Sequence, residues 1–151
     1  LTAIVQTIYY YPRIPNVVAS HFDGLGDPNG WSSKVLFFGI YAAVLLLTIF
    51  IFLVVPGMVA KSSGRGLKIP NKSYWLAPER QQDTIQFYRI HFLYFGIANL
   101  LLVIFVIQLV ILANFKDQPR LDSAIVWALI LYFIFVALWL IRFYTKFRRK
   151  I

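Results

Sequence analysis

The sequence predicts an all-α integral membrane protein: a small helical bundle with three complete transmembrane helices and the truncated end of a first one before them. Three observations predict it. Of 151 residues, 60% are hydrophobic and 14% charged, whereas a soluble domain is about 25% charged. Three charge-free runs are each long enough for a hydrocarbon core about 30 Å thick. The charges that remain gather between those runs. Cysteine is absent, which excludes disulfides, thiolate nucleophiles and cysteine-held zinc or iron–sulfur centres.

Residues 1–11 (LTAIVQTIYYY) are apolar, too short to span, and lack the basic start of a signal peptide. They read as the exit end of a first helix, with Tyr9, Tyr10 and Tyr11 at an aromatic belt. Pro12 and Pro15 stop that helix, because proline has no N–H to donate and its ring clashes with the preceding turn. Residues 12–34 are expected as an outer loop, with turn signals at Asp23-Gly24 and Pro28-Asn29-Gly30.

A helix is expected over 35–58. Residues 35–55 carry no charge and reach about 31 Å at ~1.5 Å per residue, and Pro56-Gly57 closes the run. Residues 59–77 form a basic cytoplasmic loop. Residues 78–114 read as one long helix with a cytoplasmic extension. Pro78 suits a first helical position, Glu79 meets the positive end of the dipole, and Ile85, Tyr88 and Phe92 make one apolar stripe. Residues 115–122 are a second outer loop, and 123–146 a last helix leading into a basic tail. The whole of 1–151 reads as a single membrane domain.

Charge placement sets the expected orientation. The loop 12–34 balances Arg13 and Lys34 against Asp23 and Asp27, and residues 116–122 balance Lys116 and Arg120 against Asp117 and Asp122. Residues 61–89 carry six basic and two acidic side chains, and the tail carries Arg142, Lys146, Arg148, Arg149 and Lys150. The whole formal charge of +9 therefore lies on two segments that share one side. By the positive-inside rule that side is cytoplasmic. The expectation is a multi-pass protein of the bacterial cytoplasmic (inner) membrane, C-terminus inside, its basic segments against anionic lipid rather than nucleic acid.

The loop PRIPNVVASHFDGLGDPNGWSSK resembles the signature of a bacterial membrane family of unknown function. That family's domain also opens the sporulation-delaying-protein immunity protein. The matching positions are Pro12, Pro15, His21, Phe22, Gly26, Pro28, Asn29, Gly30, Trp31, Ser33 and Lys34. A second stretch, from Pro70-Asn71-Lys72 through Tyr74-Trp75-Leu76-Ala77-Pro78-Glu79-Arg80, resembles a segment of short members of the family. The resemblance implies a complete helix before the loop. It also implies an immunity-like role, since characterised relatives confer immunity to a secreted toxic peptide and sequester a repressor at the membrane.

Candidate sites follow from residue type and place. His21, Phe22, Asp23, Gly26, Pro28, Asn29, Trp31 and Lys34 form a candidate recognition loop. An imidazole with the carboxylates of Asp23 and Asp27 could in chemistry hold a divalent metal, but three ligands from one loop match known spacings poorly, so no metal is expected. The plainer reading is that His21 and Trp31 pack within the loop and fix its shape. Tyr74, Trp75, Glu79 and Arg80 form a candidate cytoplasmic anchor at headgroup depth or a docking surface. Asn99 and Gln108 are polar side chains inside a span and lie on opposite helix faces, so each is expected to bond a neighbouring helix. No ionisable residue falls deep in the spans as drawn, which weighs against a pump. No nucleophile–base pairing or cofactor motif is visible, so neither an enzyme nor a cofactor is expected. The function expected is a non-catalytic membrane protein acting through contacts with other membrane proteins, as accessory or scaffold subunit in a hetero- or homo-oligomer. The alternative is an immunity or signalling protein whose outer loop recognises an extracellular peptide.

Overall fold

A computed structural model describes residues 1–148. Helix α1 (Thr2–Tyr10) leads into a two-stranded antiparallel hairpin, β1 (Val17–Phe22) and β2 (Pro28–Ser33). Helix α2 (Lys34–Ile49) continues through a π-helical turn (Phe50–Val54) into α3 (Val55–Lys61). A single turn, α4 (Lys72–Trp75), precedes α5 (Pro78–Ala113) and α6 (Ala124–Arg148). Three helical stretches are long and apolar enough to cross a membrane: Lys34–Lys61, Pro78–Ala113 and Ala124–Arg148, of 28, 36 and 25 residues. The chain is a mostly helical membrane protein. Arg149 and Lys150 of the basic tail lie outside the described residues.

Three features differ from the reading of the sequence. Residues 12–34, expected as a loop, contain the hairpin. Its strands are hard to recognise because Ser20 on β1 and Asn29 on β2 are each an extra residue in the ladder, and β1 does not alternate cleanly. The helix expected to close at Pro56-Gly57 runs on to Lys61. Proline lacks the N–H that an α turn needs and crowds the carbonyl four residues back, and the wider π turn just before it relieves both demands. Trp75, expected on a surface that anchors or docks, is buried within the chain.

Contacts divide the chain into two compact units, Leu1–Leu46 with Leu100–Leu131, and Leu47–Asn99 with the chain from Tyr132 onward. Helices α2, α5 and α6 contribute to both.

In the first unit Ile14 and Val18 pack with Phe37, Phe38 and Tyr41 of α2 and Val110 and Ile111 of α5. A polar network crosses this apolar core. The Tyr41 hydroxyl donates to Gln6 Oε1 at 2.6 Å, and Gln6 Nε2 donates to Gln108 Oε1 at 2.8 Å and to the Ile104 carbonyl at 3.3 Å. Gln108 Nε2 donates in turn to the Tyr10 hydroxyl at 3.0 Å. In an apolar medium polar side chains must satisfy one another, so the network joins α1, α2 and α5.

In the second unit Leu67, Ile69, Trp75 and Phe147 form the buried centre. Helix α5 meets the π turn at Gly96, where a Cβ would lie 2.5 Å from the Phe52 Cβ. Only glycine permits that approach. Asn99 Nδ2 donates to its own Phe95 carbonyl at 2.8 Å, while its Oδ1 accepts the Tyr132 hydroxyl of α6 at 2.9 Å.

Candidate functional site: the β-hairpin

The hairpin is built from its turn upward. Asp23 Oδ1 accepts the backbone N–H groups of Leu25 at 2.9 Å and Asp27 at 3.0 Å, closing the turn over the carboxylate. The Asp23 N–H returns to the Asp27 carbonyl at 2.9 Å. These donors, the Asp27 N–H first and that of Leu25 next, hold the Asp23 carboxyl below its ordinary value of 3.8. Gly26 takes a left-handed φ of +85°, with the Leu121 carbonyl oxygen 2.9 Å from where a Cβ would stand. Its own carbonyl accepts the Leu121 N–H at 2.9 Å. Arg120 lies 3.7 Å from Asp27, an exposed ion pair.

The other edge of β1 is held by a side chain. Asn114 Oδ1 accepts the Ala19 N–H at 2.7 Å, and Asn114 Nδ2 donates to the Ala19 carbonyl at 3.0 Å. The same Nδ2 donates to the Val110 carbonyl at 2.9 Å, which fixes the carboxamide to the end of α5. One side chain thus completes the backbone pairing of a fully buried strand residue.

The predicted loop residues separate into those that build the hairpin and those left on its surface. His21 Nδ1 donates to Asn29 Oδ1, tying the residue after the β1 bulge to the bulged residue of β2. Phe22 packs against the core of the first unit and stands opposite Pro28 in the ladder. The Lys34 ammonium lies 5.2 Å over the Tyr11 ring, and the Lys34 backbone N–H donates to the Asn16 carbonyl at 3.0 Å. His21, Asp23 and Asp27 therefore each have a different partner. Trp31 and Leu25 remain outward, 55% and 76% exposed.

The second predicted group lies where α4 meets α5. Arg80 Nε donates to the Tyr74 carbonyl at 3.0 Å while its guanidinium stacks 4.0 Å over the Tyr74 ring. Trp75 meets Phe147 edge-on at 5.5 Å, and its carbonyl accepts the Thr84 hydroxyl at 2.9 Å. Glu79 stays exposed in the first turn of α5. Of this group only Glu79 presents an open side chain, while Tyr74, Trp75 and Arg80 tie the corner together.

Gln6, Tyr41, Asn114 and His91 were not singled out in the sequence. Gln6 is the one strongly polar side chain before the tyrosines, and Asn114 directly follows the apolar stretch that ends at Ala113; these were the available signals. His91 directly precedes Phe92, the last residue of the stripe read on α5. It stacks on Phe87 and Trp139 at 5.1 and 4.5 Å.

Residues 1–55 match the model of a domain of unknown function, DUF1648. That match takes in α1, the hairpin and α2 through the π turn. No curated protein and no solved structure matches the chain.

Proposed function

We propose that this is a non-catalytic membrane protein that works through protein–protein contacts, as an accessory or scaffold subunit of a bacterial membrane assembly, with the hairpin as one contact surface. The observation that carries this reading is an outward Trp31 on β2, whose partner strand β1 is held on its other edge by Asn114. A large aromatic on a pre-organised strand loses little entropy on docking, and tryptophan is enriched among residues that dominate interface energies. The local charge balance of the hairpin leaves its apolar contacts to decide the affinity.

In this reading the hairpin faces outward and the basic segments, including Arg142, Lys146 and Arg148, face the cytoplasm against anionic lipid. The test is a photo-crosslinking residue in place of Trp31 in intact membranes. A discrete adduct with one membrane protein is expected, and Trp31→Ala should lose that partner on mild-detergent purification at unchanged abundance. A clean monomer with no adduct would overturn the reading.

A second reading, immunity or signalling through an extracellular peptide, is favoured by α5 itself. Its 36 residues run unbroken from Pro78 to Ala113, about 54 Å at ~1.5 Å per residue. Arg80 lies in the first turn of this helix and Asn114 directly follows its last residue, so one continuous helix links the two along the chain. Trp31→Ala should then abolish resistance to the peptide while membrane abundance holds. Retained resistance would remove this reading and leave the first intact.

A further inference from the structure

We propose that the groove between α5 and α6 in the second unit holds one anionic phospholipid, its phosphate on Arg142 and one acyl chain along the apolar wall. The groove has a volume of ≈ 540 Å³, within the range of about 300–1,000 Å³ usual for small-ligand sites. Tyr94, Phe135 and Leu138 line its apolar part, and Arg142 lines it as well.

Its floor is fixed. His91 Nε2 meets the Trp139 carbonyl at 3.1 Å, and a carbonyl only accepts, so that nitrogen carries the proton. Trp139 Nε1 donates back to the His91 carbonyl at 3.0 Å. The two rings stack at 4.5 Å and 16°. A reciprocal pair of bonds and a stack hold the helices apart at a set distance, so the groove is part of the packed structure rather than a gap between loose side chains.

Charge selects the occupant. Arg142 is the first charged residue after the charge-free run 124–141, so it stands where a span meets the headgroups. Its guanidinium has no hydrogen-bond or ion-pair partner among the described residues. An apolar slot with one unneutralised guanidinium at its membrane-surface end matches a molecule with a hydrocarbon tail and a phosphate, and guanidinium binds phosphate through paired N–H donors. This goes beyond the diffuse attraction of a basic segment, because it assigns one lipid to one place.

The test is native mass spectrometry of the full chain in detergent, titrated with phosphatidylglycerol, with phosphatidylcholine of the same chains, and with inorganic phosphate. One phosphatidylglycerol per chain is expected to be retained in preference to phosphatidylcholine, with inorganic phosphate unable to displace it. Arg142→Ala should weaken retention about ten-fold or more, the order for loss of a charge-assisted bond. Leu138→Trp, at an exposed position, should weaken it by filling the slot. Arg148→Ala removes an equal charge outside the groove and should change it by no more than a few-fold. Equal losses for Arg142→Ala and Arg148→Ala, equal retention of the two lipids, displacement by inorganic phosphate, or a dimer that excludes lipid would each overturn the proposal.

Discussion

Asn114 and Ala19, 95 residues apart in the chain, are joined as one strand is joined to the next: a side-chain carboxamide takes both polar groups of a strand residue. The hairpin thereby becomes part of the same packed unit as the end of α5.

Replacing Asn114 by Ala leaves a buried N–H and a buried carbonyl of Ala19 without partners, at about 1–3 kcal/mol per orphaned group. Asn114→Asp keeps the acceptor and loses both donated bonds, so it should also destabilise. Thermal unfolding in detergent should show both changes, with the amides around Ala19 losing hydrogen-exchange protection first. Unchanged protection would mean that β2 alone holds β1.

Gly26 and Gly24 sit two residues apart in one turn and should respond oppositely to alanine. Gly26→Ala puts a side chain into a left-handed backbone and against Leu121, and the backbone term alone costs about 1–2 kcal/mol. Gly24 has nothing within 4 Å of a Cβ, so Gly24→Ala should be close to neutral. Limited proteolysis of the hairpin would separate the two, with only the Gly26 variant cut faster.

The Asp23 turn should be acid-sensitive in one direction. Its carboxyl is lowered in the folded chain, so its contribution is fully present above the unfolded value of 3.8 and is lost as pH falls through the folded value. Raising the pH from neutrality should change nothing at this site. The amide signals of Leu25 and Asp27, followed by NMR against pH, should report the loss, and Asp23→Asn should flatten both curves.

Opposite labelling is expected at two single cysteines. Gly24→Cys, in open space, should react with an impermeant thiol reagent from outside, and Ser73→Cys, exposed on α4, should not. The reverse pattern would invert the orientation proposed from charge.

The spans were legible because an uncharged run of about 20 residues has few other uses. The hairpin was not, for two physical reasons. The bulge at Ser20 breaks the alternation of β1, while β2 (PNGWSS) shows its alternation in burial but not in residue type. The second edge partner of β1, Asn114, is named by no local pattern. The polar spans stand between these cases. Asn99 and Gln108 stood out as polar groups in an apolar run, but their partners Tyr132, Gln6 and Tyr10 could be found only once the helices were assembled. Tyr74, Trp75 and Arg80 looked like a surface motif because aromatic and basic residues favour interfaces. Tertiary packing instead turned Trp75 inward, against Phe147.

The π turn at Phe50–Val54 fits one more residue into a turn than an α-helix holds. Deleting one residue there would let ordinary α geometry close the turn and leave the helix beyond it nearly in register. Val59 would then keep its place against the cluster of Leu67, Ile69, Trp75 and Phe147. The same deletion at Pro56 or Gly57 has no surplus residue to absorb it and would rotate everything that follows by about 100° about the helix axis.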